Sequence, residues 1–204
     1  MESILTNAFG AFNEYSGWIV WNLFLAFIPL VLSFWLFHRS SKRRSSLWWL
    51  GFIVFIAFLP NAAYLLTDII NLIEAIRAGY SIWITTLIFI PLHSFAILIG
   101  WEAYVISLIN QSRYLEKGAS NFVFASEIAT HALCAVGIYL GRFLRFNSWD
   151  FVTQPHVILT STINNLTDKK PLLVIVITFV ILTVFYWITK QITLGLVLRI
   201  RNSK

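Results

Sequence analysis

The sequence predicts an all-α fold, a polytopic bundle of five transmembrane helices, and three observations carry that expectation. Of the 204 residues, 58% are hydrophobic and only 12% are charged, whereas a soluble domain has about a quarter of its residues charged. Five apolar runs reach the roughly 20 residues that a helix needs to cross a bilayer. The charges gather at the ends of those runs instead of being spread through the chain.

The first span runs from Trp18 to Phe37 and carries Asn22, Pro29 and Ser33 along one face. The second, Leu47 to Ile69, is interrupted by Pro60-Asn61. Proline removes a backbone donor, so local bending is expected there, and the freed carbonyls must be buried in protein or line a cavity. The third span, Ile82 to Ile109, is long enough to tilt. The fourth is Phe122 to Leu144. The fifth starts at Leu172, is apolar to Thr189, and extends past Lys190 to Leu198. The longest loop, Arg145 to Lys170, is expected to hold a short surface helix over Val157 to Leu166. At this length residues 1–204 read as a single integral membrane domain.

Short-loop charge sets the orientation. Arg39, Lys42, Arg43, Arg44, Arg113, Lys117, Arg199, Arg201 and Lys204 fall on one side of a five-span arrangement. Arg77, Arg142, Arg145, Lys169 and Lys170 fall on the other. The positive-inside rule then places the N-terminus outside and the C-terminus in the cytoplasm. Trp48 and Trp49 mark the inner interface, Trp83 and Trp149 the outer one. The net charge of +6 is thus a topology signal and points to no nucleic acid. The single cysteine, Cys134, excludes an internal disulfide, and no ligand spacing for a metal or motif for a cofactor is present.

Helical spacing at about 100° per residue decides which polar groups share a face. On the fourth span Glu127, His131, Arg142 and Arg145 fall on one stripe, with Cys134 on it and Gly137 and Gly141 at its edge. Ionisable groups in a membrane face the bundle interior, so this stripe is expected to be buried. On the second span Asn61, Tyr64, Asp68 and Asn71 share a face. On the third, Thr86, His93, Gly100, Tyr104 and Ser107 share one, and Glu102 lies opposite His93, needing a partner of its own or a subunit contact. Asp68, Asp150, Arg142 and Arg145 are all expected at the outer side, where mutual neutralisation is the simplest outcome.

Two longer segments carry a resemblance. Phe58-Leu59-Pro60-Asn61-Ala62-Ala63-Tyr64-Leu65-Leu66-Thr67-Asp68 resembles the signature FLPNAPYLLTD. Gly137 to Asp150, GIYLGRFLRFNSWD, resembles GIYLGRFLRWNSWD. Both are similar to bacterial membrane proteins of domain-of-unknown-function family 1361, and Trp21 to Leu30 is similar to that family's first span. Ala63 stands where the family often has proline and Phe146 where it often has tryptophan; the acid that tends to follow Trp83 is missing. The resemblance implies a multi-pass protein of the bacterial cytoplasmic membrane and implies no activity.

Each polar group has a functional and a structural reading. Arginine suits bidentate recognition of phosphate or carboxylate. The cluster Asn61, Tyr64, Asp68, Arg142, Arg145, Asn147 and Asp150 therefore reads either as a site for an anionic lipid-like ligand or partner at the outer leaflet, or as a latch between helices. An enzyme acting on a lipid-linked substrate, with Asp68 or Asp150 as base, is an alternative that no serine elbow, P-loop or acidic pair supports. His93, Glu127 and His131 suggest a proton relay and a proton-coupled transporter, or a hydrogen-bonded packing pair. The expected partners are the lipid bilayer, an anionic lipid or lipid-linked substrate, and, from Glu102, a second copy of the chain.

Overall fold

The computed structural model describes residues 2–38, 44–119 and 122–203, without the side chains of residues 2–9, 11–15, 117–119 and 151–152. Arg39, Lys42, Arg43 and Lys204, and the side chain of Lys117, all counted in the charge bias, lie outside the described residues. Among the described residues five helical stretches are long and apolar enough to cross a membrane: Ser16–His38, Ser46–Arg77, Ile82–Glu116, Val123–Phe143 and Lys169–Asn202. The five expected spans are present, three of them longer than their hydropathy alone suggests.

Helix α1 (Glu2–His38) tolerates Pro29 in its interior, and Ser33 below it donates to the Leu30 carbonyl at 2.7 Å. Helix α2 (Ser46–Tyr64) begins at Ser45, whose hydroxyl accepts the Trp48 N–H at 3.2 Å. This satisfies one of the orphan donors of a first turn. The Trp48 indole donates to the Leu36 carbonyl at 3.1 Å, tying the start of α2 to the end of α1.

The irregularity expected at Pro60 appears one turn later. Pro60 stays helical, and the winding tightens to 3₁₀ over Leu65–Asp68 before α3 (Ile69–Arg77) resumes. Two contacts favour the tight turn. Thr67 donates to the Tyr64 carbonyl three residues back, at 2.7 Å. Leu65 is pressed onto Gly100 so closely that a Cβ there would lie 2.1 Å from its Cδ1. Asn71 therefore sits on a helix continuous with the second span.

Helix α4 (Ile82–Ile84) widens into a π turn, Thr85–Phe89, before α5 (Ile90–Ala119). Pro91 follows directly, and a proline ring clashes with the carbonyl four residues earlier in an ordinary α turn, so the wider turn relieves it. Helix α5 runs well past Ile109, the expected end of the span. Asn110, Gln111 and Ser112 are buried in the bundle instead of lying in a loop. Helix α6 (Val123–Phe143) is followed by a turn, by α7 (Asp150–Thr153) and by α8 (Pro155–Thr167), which opens on proline at its first turn. Helix α8 covers the stretch expected as a short helix. Helix α9 (Lys169–Asn202) passes Lys190 without a break; its 34 residues span about 50 Å, against about 30 Å for a hydrocarbon core.

Helix α1 packs between α2 and α5, and α6 packs against α2 and α9. The common core contains Phe55, Leu59, Tyr104, Leu108, Ala135 and Ile138. The outer surface is no less apolar: Phe24, Val31, Leu98, Leu133, Val184 and Trp187 are all exposed. Such a surface covering every span is untenable in water and natural in lipid. The chain is a multi-pass membrane protein.

Candidate functional site

Where α2 passes into its 3₁₀ turn, Asp68 is buried at 1% exposure. Arg142, in the last turn of α6, reaches across to it, Nη1 lying 3.6 Å from Asp68 Oδ1. Arg142 also donates to the Tyr64 hydroxyl at 2.8 Å, to Asn71 Oδ1 at 2.9 Å and to the Thr67 carbonyl at 3.4 Å. Its guanidinium lies 5.4 Å from the centre of the Tyr64 ring. Asn71 closes the circuit by donating to Asp68 Oδ1 at 3.0 Å. The other oxygen, Oδ2, is buried without a hydrogen-bond partner in the ordinary range, with the Asn22 amide of α1 beside the carboxylate. This buried pair locks the end of α6 to the end of α2.

Arg145 and Asp150 stand apart from it, so the expected four-way neutralisation is reduced to one pair. Arg145 is exposed and, among the described residues, has no ion-pair partner. Asp150 Oδ2 accepts the Asn147 N–H at 2.6 Å and shapes the turn after α6. That turn bends because Arg145 adopts a left-handed conformation, φ 59°, and the Phe146 N–H returns to the Leu140 carbonyl at 3.1 Å.

Between this turn, α1, α2 and α6 lies a cavity of about 170 Å³. Asn61, Tyr64, Asn147 and Ser148 supply its polar wall, and Trp21 and Trp149, both partly exposed, stand at it from opposite elements. Asn61 donates to Ser148 at 2.7 Å across 87 residues of sequence, and to the Phe58 carbonyl at 3.1 Å. Gly137 and Gly141 make room. A Cβ on Gly137 would come within 2.7 Å of the Pro60 ring, whereas one on Gly141 would make ordinary contacts, the nearest at 3.6 Å. Both segments singled out in the sequence thus wall one cavity.

A second polar cluster lies between α5, α6 and α9. Glu127 Oε1 accepts from Ser112 at 2.5 Å, from Tyr186 at 2.7 Å and from Lys190 at 2.5 Å. His131 does not bond to Glu127; its Nδ1 pairs with the Tyr104 hydroxyl at 2.6 Å, and its ring packs 4.7 Å from that of Tyr186. His93 lies elsewhere, its Nδ1 2.9 Å from the Phe89 carbonyl and its ring edge-on to Trp18 at 5.8 Å. Among the described residues, Glu127 and His131 therefore share no direct hydrogen bond. Glu102 finds its partner inside the chain: Thr193 of α9 donates to it at 2.8 Å, which removes the reason for invoking a second copy. Sequence reasoning missed Lys190, Tyr186 and Ser112 as partners of Glu127. A lysine interrupting the apolar run of α9 was the available signal.

No curated protein and no solved structure matches the chain. The family model described as protein of unknown function, DUF1361, matches residues 21–184. That stretch contains every residue lining the cavity, from Trp21 to Trp149, together with Asp68 and Arg142. The chain belongs to the DUF1361 family of membrane proteins.

Proposed function

We propose that this protein is a non-enzymatic receptor for a lipid-like amphiphile, whose head group enters the cavity between α1, α2, α6 and the turn after α6. The observation that carries the reading is the convergence of two segments about 80 residues apart on one polar-walled, tryptophan-flanked space. At about 170 Å³ it is smaller than the roughly 300–1,000 Å³ of pockets that enclose a whole small ligand. It suits a head group, with the chains left in the bilayer against Trp21 and its lipid-facing neighbours. The bias of positive loops supports placing this end at the outer leaflet of the cell membrane. The buried Arg142–Asp68 pair serves the site by fixing its walls. An enzymatic role for Asp68 or Asp150 gains no support from the geometry, since Asp68 is engaged by Arg142 and Asn71 and Asp150 by the Asn147 N–H.

Gly141 lines the cavity and has room for a methyl group. Gly141→Leu fills the space and Gly141→Ala leaves most of it open. Native mass spectrometry of the detergent-purified protein reads the lipid that stays bound. Wild type and Gly141→Ala are expected to retain it, and Gly141→Leu to lose it while unfolding at a similar temperature. Equal retention by Gly141→Leu rules the cavity out as the binding site.

A further inference from the structure

We infer that the occupant of this cavity carries an anionic head group and that Arg145, not Arg142, receives it. The inference rests on the cavity reading above and adds the charge of the ligand and the residue that selects it.

Arg142 is not available to a ligand. Its guanidinium is already met by the Tyr64 hydroxyl, Asn71, the Thr67 carbonyl and the Asp68 carboxylate. A ligand anion could take it only by displacing a buried carboxylate. Arg145, three residues on, is exposed and unpaired among the described residues. Arg145 does not itself line the cavity; it stands at the surface one residue before Phe146, Asn147, Ser148 and Trp149, which form the turn wall, and so would meet the part of a head group that projects from the cavity.

The backbone at Arg145 adds an independent argument. Its φ of 59° makes it the single non-glycine residue with positive φ among the described residues. Left-handed positions just past a helix end are ordinarily glycine, because a Cβ is strained there. The chain uses glycine where the same need arises at Gly79, φ 81°. At position 145 it carries a strained, long, cationic side chain instead. Strain of this kind is tolerated where the side chain itself is needed. Arginine at an interface offers a phosphate or carboxylate a forked pair of donors.

The test separates charge from fold by using the substitution that the backbone prefers. Arg145→Gly removes the cation and the strain together, and Arg145→Lys keeps both. The probes are dioctanoyl phosphatidylglycerol, dioctanoylglycerol with the same chains and no charge, and glycerol phosphate without chains, each titrated into the full-length protein in neutral detergent. Wild type is expected to bind the anionic lipid about tenfold more tightly than the neutral one, the scale of one charge-assisted contact. Arg145→Gly should erase that preference while unfolding at the same or a higher temperature, and Arg145→Lys should keep most of it.

If wild type binds both lipids alike, and Gly141→Leu abolishes both, the cavity stands and the role of Arg145 is wrong. If Arg145→Gly keeps the preference, or unfolds at a clearly lower temperature, the assignment is also overturned. If wild type takes up neither lipid, the cavity reading falls and Arg145 with it. Glycerol phosphate binding as tightly as the anionic lipid would replace the lipid by a soluble phosphate.

Discussion

Among the described residues, two ion pairs tie α6 to its neighbours, and their surroundings differ. Arg142–Asp68 joins the ends of α2 and α6, and one of its companions, Tyr64, also lines a cavity. Lys190–Glu127 joins α9 to α6, and none of its partners Ser112, Tyr186 or Lys190 lines that cavity. The first pair stands beside this cavity; the second shares no residue with it. The family match sharpens the contrast, since it covers the whole of the first cluster but ends at residue 184, before Tyr186 and Lys190. What distinguishes the first cluster is that Tyr64 belongs both to it and to the wall of this cavity.

The pairs should also differ in how much each partner matters. Arg142→Ala leaves the Asp68 side chain, 2% exposed, with only Asn71 and the neighbouring Asn22 amide. Removing one partner of a buried pair costs about 3–5 kcal/mol. Thermal unfolding in detergent should show this as the largest loss among the substitutions considered. Adding Asp68→Asn to Arg142→Met should recover much of it, because no buried charge is then orphaned. A loss as large in the double variant would mean that Arg142 acts through packing against Tyr64 and not through the pair.

Lys190→Met should do less, roughly 1–3 kcal/mol, because Glu127 keeps the Ser112 and Tyr186 hydroxyls as donors. The lysine is also less enclosed than Arg142, its side chain 20% exposed against 14%. If Lys190→Met proves as damaging as Arg142→Ala, the two hydroxyls do not sustain the carboxylate and the contrast between the clusters collapses.

How much of this was legible in the sequence follows from what each signal measures. Hydropathy located all five spans, because lipid contact dominates their composition. It ended the third span at Ile109, because Asn110, Gln111 and Ser112 look like loop residues; they are buried by bonding to Ser33, Ser126 and Glu127 on other helices. Helical spacing put Asp68 with Asn61, Tyr64 and Asn71, and put Arg142 on the buried stripe of its own helix. It also put Arg145 on that stripe, and there it failed, because the helix ends at Phe143 and the left-handed turn swings Arg145 out. Spacing within one helix cannot report a chain reversal. Nor can it pair residues of different helices, which is why Glu127 was matched to His131, four residues away, and not to Lys190, 63 residues away.

The smallest effect tests whether α9 is held by one contact or by a row of them. Tyr186, Thr189, Lys190 and Thr193 recur at the three- and four-residue spacing of a single helix face. Tyr186 and Lys190 meet Glu127, Thr189 accepts the Trp101 indole N–H at 2.9 Å, and Thr193 donates to Glu102. The rest of α9 offers mainly exposed aliphatic side chains, so this row selects the rotation of the helix against α5 and α6. Thr193→Val removes one neutral donor from a half-buried carboxylate and should lower stability by about 0.5–1.5 kcal/mol. The row predicts near-additive losses when Thr193→Val is combined with Lys190→Met, since the two act on different carboxylates, Glu102 and Glu127. If the double variant loses no more than Lys190→Met alone, α9 is anchored at Glu127 only, and Thr193 merely follows.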